Sequence, residues 1–279
     1  MNFGVYVFPT EYSISAVELG RAVEERGFDS LFVTEHSHIP TSRRSPWPGG
    51  AELPEENKHN LDPFVALGAV TAATSRLLVG TGICLVVERD PIVTAKEVAT
   101  LDLVSGGRFL FGVGGGWNRE EMENHGTDPK TRFRLLRERV LAMKVMWTQE
   151  AAEFHGEFVD FDPLWSWPKP VQQPHPPVIV GGNGPGVLDR VLEYGDGWMP
   201  NANRGRVKEG MATLARRAGE VGREPIPVTI FGARPEAQTV EDYEAMGVER
   251  CLFAVPSKPA DEVLPVLDRH AELAAKFTS

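Results

Sequence analysis

Cysteine is scarce. Two occur in 279 residues, Cys84 and Cys251, far apart and inside apolar runs, which excludes a disulfide framework and suits a reduced compartment. No apolar stretch approaches the ~18 residues needed to span a bilayer. The chain begins at once on a strand-like run, Phe3 to Phe8, without the basic and apolar segments of a secretory signal, so a cytoplasmic protein is expected, with no membrane partner. Positive charge is short too: 29 Lys and Arg against 39 Asp and Glu give a formal charge of −10. That balance works against a long phosphate-backbone contact, so nucleic acid is not expected as a partner. Metal ligands are thin as well. His36 and His38 stand two apart after a strand-like run, but His155 and His175 fall in an insertion and no later strand ends in histidine or an obvious carboxylate. No metal site is expected.

What is present is alternation. Short β-branched and aromatic runs at Phe3 to Phe8, Asp29 to Thr34, Leu77 to Val87, Arg108 to Val113, Pro177 to Gly181, Asp196 to Met199, Ile226 to Phe231 and Arg250 to Val255 are separated by longer amphipathic runs. Such alternation signals parallel strands with crossover helices. Asp62-Pro63 and Asp90-Pro91 each place an N-cap before a proline at the first helical position, and Asn118 with Glu121 three residues on resembles a capping box. Phe133, Leu136, Val140, Met143 and Trp147 mark one apolar helix face. Eight strand-helix pairs predict an α/β protein, a single (β/α)8 TIM barrel over residues 1–279 with insertions after strands two and four, at about 36–60 and 149–176. The later insertion carries a hairpin around Gly156 and six prolines between Asp162 and Pro177. Reading it as an interdomain linker would leave a half-barrel with open edges. Both insertions are expected over the active-site face, with Trp165 and Trp167 lining or covering a substrate pocket.

Three features at strand ends point to chemistry. Glu35-His36-Ser37-His38 offers His36 as a hydrogen-bond donor or proton carrier, since histidine as a residue type ordinarily titrates near neutrality. Gly112-Val-Gly114-Gly115-Gly116-Trp117 lets backbone approach a ligand at a helix start, although Trp117 replaces the third glycine of a dinucleotide fingerprint. Gly181-Gly182-Asn183-Gly184-Pro185 has the makings of a phosphate nest. Two such turns in an acidic chain favour a small phosphorylated ligand. Arg43, Arg44, Arg204 and Arg206 in neighbouring loops are candidates to meet an anionic tail.

The blocks Val79 to Pro91, Ala95 to Arg108, Phe111 to Trp117, Phe154 to Phe161 and Gly195 to Trp198 resemble the luciferase-like monooxygenase superfamily, within it the coenzyme F420-dependent oxidoreductases. The resemblance implies hydride transfer between a deazaflavin ring and a small organic substrate. It also implies a non-prolyl cis peptide at Gly82-Ile83 behind the ring, His36 near the reactive edge, and the Gly182 to Gly184 backbone at the cofactor phosphate. Gly114, Gly115, Gly116 and Trp117 would lie beside the ribityl chain, and a homodimer would form through flank helices. Two departures matter. Trp117 stands where members acting on alcohols or sugar phosphates carry a carboxylate, and Gly115 where luciferase has an arginine near the flavin phosphate. The alternatives are an FMN-dependent monooxygenase and a barrel that binds a cofactor without turnover.

Overall fold

The computed structural model describes residues 1–50, 52–203 and 206–278. The strand-like runs form β1 (Asn2–Val7), β2 (Ser30–Val33), β3 (Leu78–Thr81), β4 (Phe109–Val113), a hairpin of β5 (Ala152–His155) and β6 (Asp160–Leu164), then β7 (Val178–Gly181), β8 (Gly197–Met199), β9 (Thr229–Phe231) and β10 (Arg250–Ala254). Between them lie α1 (Ala16–Glu25), α2 (Pro63–Ala73), α3 (Pro91–Ser105), α4 (Arg119–Asn124), α5 (Arg132–Thr148), α6 (Val187–Tyr194), α7 (Val207–Glu220), α8 (Ala237–Ala245) and α9 (Ala260–Ala274). Eight strands pair in parallel in the order β8-β7-β4-β3-β2-β1-β10-β9. Bridges Trp198 to Val228 and Asn201 to Phe231 join the two ends into the expected TIM barrel.

Side chains alternate across each strand, which divides the core in two. Phe32, Leu110, Ile179, Met199 and Leu252 fill the barrel interior, with Tyr6, Ile83 and Phe231 packed against them. Val5, Leu31, Val79, Phe109, Phe111, Val180 and Phe253 face the helices. The aspartate-proline signals act as read: Asp62 accepts from Val65 N (3.0 Å) and Asp90 from Ile92 N and Val93 N (both 2.9 Å). Gly106, in the left-handed region at φ 68°, ends α3.

Two expectations need correction. The third strand does not run to Val87. It stops at Thr81, the Gly82-Ile83 peptide is cis, and a 3-10 turn spans Val86–Glu88. Asn118 makes no side-chain cap bond to α4, and Glu121, read as its capping-box partner, bonds His36 and Ser37 N instead.

At the base, where the strands begin, Glu24 and Arg108 are both held by backbone. Glu24 accepts from the amides of Ser75 (2.9 Å), Arg76 (2.6 Å) and Leu77 (2.9 Å). Burial opposes that charge, yet the three amides bring the carboxyl down to about 2. Arg108 donates to the carbonyls of Thr71 (3.1 Å), Thr74 (3.2 Å) and Leu77 (2.7 Å). Among the described residues no helix is long and apolar enough to cross a membrane.

Candidate active site

The carboxyl ends of β2, β3, β4 and β7 bring most of the expected residues together. His36, just past β2, is buried, and its Nδ1 donates to Glu121 Oε2 of α4 at 2.7 Å. Glu121, fully buried, also accepts from Ser37 N at 2.9 Å. The Trp117 indole donates to His36 Nε2 at 3.3 Å, the two rings lying edge to face at 5.6 Å. That donor fixes the tautomer: Nδ1 carries the hydrogen and Nε2 is an acceptor turned toward the mouth. The polar chain continues outward, for Asn124 Nδ2 donates to His38 Nε2 (2.8 Å), and Ser37 Oγ bridges His38 Nδ1 (2.9 Å) and His125 Nε2 (2.7 Å).

Two further glutamates lie behind His36. Glu35 accepts from Leu85 N and Arg89 Nε, both at 2.5 Å, and Arg89 also reaches Asp62 (2.6 Å) and Glu97 (3.1 Å). Glu88, in the 3-10 turn, has no such company: both carboxyl oxygens are buried and accept no hydrogen bond. Burial first, then the charges of Glu121 and Glu35, push its carboxyl up to about 9, so it holds a proton at neutral pH. Glu35, Glu88 and Glu121 come from three separate segments, and the strand-end reading missed all but the first. A glutamate ending the apolar run Leu85-Val86-Val87 was the one local signal.

The glycines divide into two kinds. A Cβ on Gly114 would sit 1.9 Å from Ile83 Cδ1 and one on Gly181 2.7 Å from Ile83 Cγ2, so these two make room for the isoleucine after the cis bond. A Cβ on Gly115 would meet the Phe133 ring at 3.0 Å, and Gly116 takes φ 64° beneath Trp117. The expected exposure of amides is also narrower than the sequence suggested. Gly114 N donates to Cys84 O (3.1 Å) and Gly182 N to Met199 O (3.0 Å), so the barrel's own carbonyls hold them. Gly182 (φ 115°) and Gly184 have nothing within 4 Å of a built Cβ. Asn183 clasps the backbone of Asn201 at 2.8 and 3.2 Å. Their turn opens on a cavity of about 360 Å³ lined by Asn183, Gly184, Pro185, Arg206 and Arg217 among others.

Between the two glycine turns, Arg132 and Arg190 both lie over the Phe133 ring, at 4.4 and 4.0 Å from its centre. Burial lowers both pKa values, and each has a buried Nε without a partner. Arg43 sits over Trp117 at 5.9 Å with a buried Nη1 likewise unpartnered, whereas Arg44 is paired to Glu123 at 2.7 Å. Arg204 lies outside the described residues. Among them, no three His, Cys, Asp or Glu side chains converge as a metal set.

Trp165 and Trp167 are not at this mouth. They are 79% and 57% exposed, the Trp167 carbonyl accepts from Lys96 of α3, and Lys169 stands over the Trp167 ring at 5.2 Å. The following residues bind the end of α3, where Asp102 accepts from Val171 N (2.7 Å) and Gln172 N (2.9 Å). The insertion follows α5 and leads into β7. Helix-to-strand connections return to the base, so these tryptophans lie on the outer flank and line no substrate pocket.

Residues 1–247 match the family model for luciferase-like monooxygenase. The chain belongs to that family. Among relatives of this luciferase-like chain, an uncharacterized protein of Mycobacterium tuberculosis is 39% identical over 282 residues, 99% of each chain. The F420-dependent hydroxymycolic acid dehydrogenase of the same organism is 28% identical over 258 residues, 90% of this chain and 66% of the relative. The FMNH(2)-dependent dimethylsulfone monooxygenase of Pseudomonas putida is 35% identical over 138 residues, 48% of this chain and 38% of the relative. In fold, the chain is similar to the monooxygenase RslO1 of Streptomyces bottropensis (TM-score 0.84, 20% identity, 100% of both chains). It is also similar to an F420-dependent secondary alcohol dehydrogenase (TM-score 0.80, 18% identity, 100% of this chain and 99% of that one). Relatives therefore include both F420-dependent dehydrogenases and FMN-dependent monooxygenases.

Proposed function

We propose that this luciferase-like protein is a coenzyme F420-dependent oxidoreductase that moves a hydride between the deazaflavin and a small organic substrate. One observation carries the reading: a buried histidine at the barrel mouth, locked by Glu121 in the tautomer that turns Nε2 outward as an acceptor. The cofactor, when bound, supplies a ring carbon that accepts or donates hydride. His36 Nε2 takes up or returns the proton that accompanies that hydride, and Glu121 balances the imidazolium formed. The Trp117 contact is long enough, at 3.3 Å, for a substrate hydroxyl or carbonyl to displace it.

The mouth suits an anionic arm. Arg132 and Arg190 have no carboxylate partner in a strongly acidic chain, and the cavity beside Gly184 adds Arg206. Deazaflavin is favoured over FMN for two reasons. Gly115 leaves no arginine where luciferase places one near the flavin phosphate, and the F420-dependent relative matches along 90% of this chain against 48% for the FMN-dependent one. Incubation with each oxidised cofactor, followed by desalting, tests the choice. Retained deazaflavin absorbance is the expected result; tight FMN binding with no deazaflavin retained would overturn it.

The same reading includes a homodimer. α2 is apolar on all sides and α3 carries apolar residues on its outer face as well, leaving Val65 (75%), Val93 (56%) and Val104 (61%) exposed. A helix apolar all round needs cover, and a twofold copy supplies it most simply. Sedimentation of wild type against Val65→Glu checks it, the variant being expected to run as a monomer.

A further inference from the structure

The loop after β2 is fastened to α4 at two places. At its start, Glu121 bonds His36 and accepts from Ser37 N (2.9 Å). Further along, Glu120 of the same helix, 4% exposed, accepts from Ser45 N (2.9 Å), the Ser45 hydroxyl and Ser42 Oγ (3.3 Å). Ser45 Oγ in turn accepts from Arg119 N (3.1 Å). Burial opposes the Glu120 charge, yet the Ser45 hydroxyl and nearby backbone amides bring its carboxyl down to about 2, so the grip is anionic at neutral pH. Arg43 lies between the two held serines. It is the one described non-glycine residue in the left-handed region, at φ 48°, a conformation that persists for such a residue only where the surroundings impose it. Arg44 goes to Glu123 at 2.7 Å and Glu120 at 3.8 Å. Arg43 instead lies half-buried over the Trp117 ring at 5.9 Å, with Nη1 buried and unpartnered. The glutamates of α4 are all engaged elsewhere, so this cation is unmatched in a chain of formal charge −10. Trp117 joins it to the reacting group: the indole N–H reaches His36 Nε2 at 3.3 Å while Arg43 stands over the ring. A carbonyl or hydroxyl that displaces the indole from Nε2 therefore enters beside a guanidinium without a counter-ion.

We propose that Arg43 is a substrate-binding residue that takes a carboxylate, so that the substrate is a small oxo or hydroxy acid with its reacting carbon beside His36 and its anionic end on the guanidinium. Glu120 is the positioning residue that sets Arg43 there. One guanidinium matches one unit of negative charge, and its planar fork matches the two oxygens of a carboxylate. Arg132 and Arg190, on either side of the argument's other anion, are the pair assigned to the cofactor's arm and lie around Phe133, not Trp117. The oxo or hydroxy part of the substrate class rests on the role given to His36 in hydride transfer; the carboxylate contact does not.

Binding without turnover tests the contact. The protein as purified, and again after loading with oxidised cofactor so that oxo acids do not react, is labelled at the indole nitrogens, with the Trp117 N–H signal assigned through Trp117→Phe. It is titrated by NMR with the oxo acids pyruvate and levulinate and with the neutral ketones acetone and butanone. Wild type is expected to bind at least one of the acids saturably, with a shift of the Trp117 signal, and the ketones far more weakly. In Arg43→Gln the acid should bind ~10–100-fold more weakly, with the ketones and the cofactor bound as in wild type. The Arg43 side chain makes no hydrogen bond or ion pair among the described residues, so this variant gives up none in folding. Glu120→Gln, which removes the anionic grip, should reproduce the loss; should it fail to fold, Ser42→Ala loosens the same grip. No saturable binding of either acid by wild type, equal affinity for acids and ketones, or an unchanged acid affinity in Arg43→Gln would overturn the proposal. Weaker cofactor retention in Arg43→Gln would overturn it too, by moving Arg43 to the cofactor's arm. Unchanged acid affinity when the grip is removed would overturn the positioning role of Glu120. If acid binding follows Arg43 while His36→Ala turns over as fast as wild type, the carboxylate contact stands and it is the hydride-transfer reading of His36 that falls.

Discussion

At the base of the barrel Glu24 accepts from three backbone amides and its carboxyl is held down at about 2; at the mouth Glu88 accepts from none and is held up at about 9. The same residue type, a few strands' width apart, thus has opposite protonation at neutral pH. Donors decide the difference. The base spends its polar groups on fixing where strands begin. The mouth leaves Glu88, Arg132, Arg190 and Arg43 with groups unmatched, a state that stability alone does not favour and that binding or proton movement can use.

The sharpest way to test this contrast is to remove one group from each end. His36→Ala should lower turnover ~10²–10⁴-fold, measured on the best substrate from a panel of small alcohols, aldehydes and ketones, with cofactor retention intact. Asp102→Ala should do the reverse. It strands Val171 N, Gln172 N and Gln172 Nε2 beside a fully buried site and should cost ~3 kcal/mol in urea unfolding, with cofactor retention intact. A comparable loss of turnover in both variants would erase the distinction between the two ends. Arg190→Ala removes a guanidinium with no carboxylate partner, so cofactor Kd should weaken ~10–100-fold by fluorescence titration while stability holds or rises.

The smallest effects concern pH, and their signs oppose. Glu24 has a folded pKa below its unfolded one, so its contribution is present above about 4.5 and fades as pH falls toward about 2. Glu88 has a folded pKa above its unfolded one, so its contribution is full below about 4.5 and fades as pH rises toward about 9. Glu24→Gln should therefore flatten the acid limb of the stability profile and Glu88→Gln the alkaline limb. Chemical unfolding of each variant across the pH range reads this directly, and flattening of the same limb by both would contradict the contrast.

The barrel was legible because its signals are local. Asp62-Pro63 and Asp90-Pro91 announce helix starts, and β-branched runs announce strands buried on both faces. The mouth was half legible: His36 and both glycine turns could be found, since strand ends are where barrels work. Glu88 and Glu121 could not, because they join Glu35 only after separate crossovers close. Glu121 was misread as a cap because the spacing in Asn118-Arg-Glu-Glu121 says nothing about which way the side chain turns. The error over Trp165 and Trp167 was topological. An aromatic, proline-rich segment suggested a cover, but its position after a helix, not after a strand, sends it to the opposite end.

Ile83 occupies the space that side chains at 114 and 181 would need, so three strands share one isoleucine as a common wedge. An alanine at either glycine makes the Ile83 side chain shift, and a smaller residue at 83 leaves a hollow in the floor beneath the mouth. Re-engineering of this barrel does best to treat positions 83, 114 and 181 as one unit, because a side chain added at 114 or 181 makes Ile83 shift.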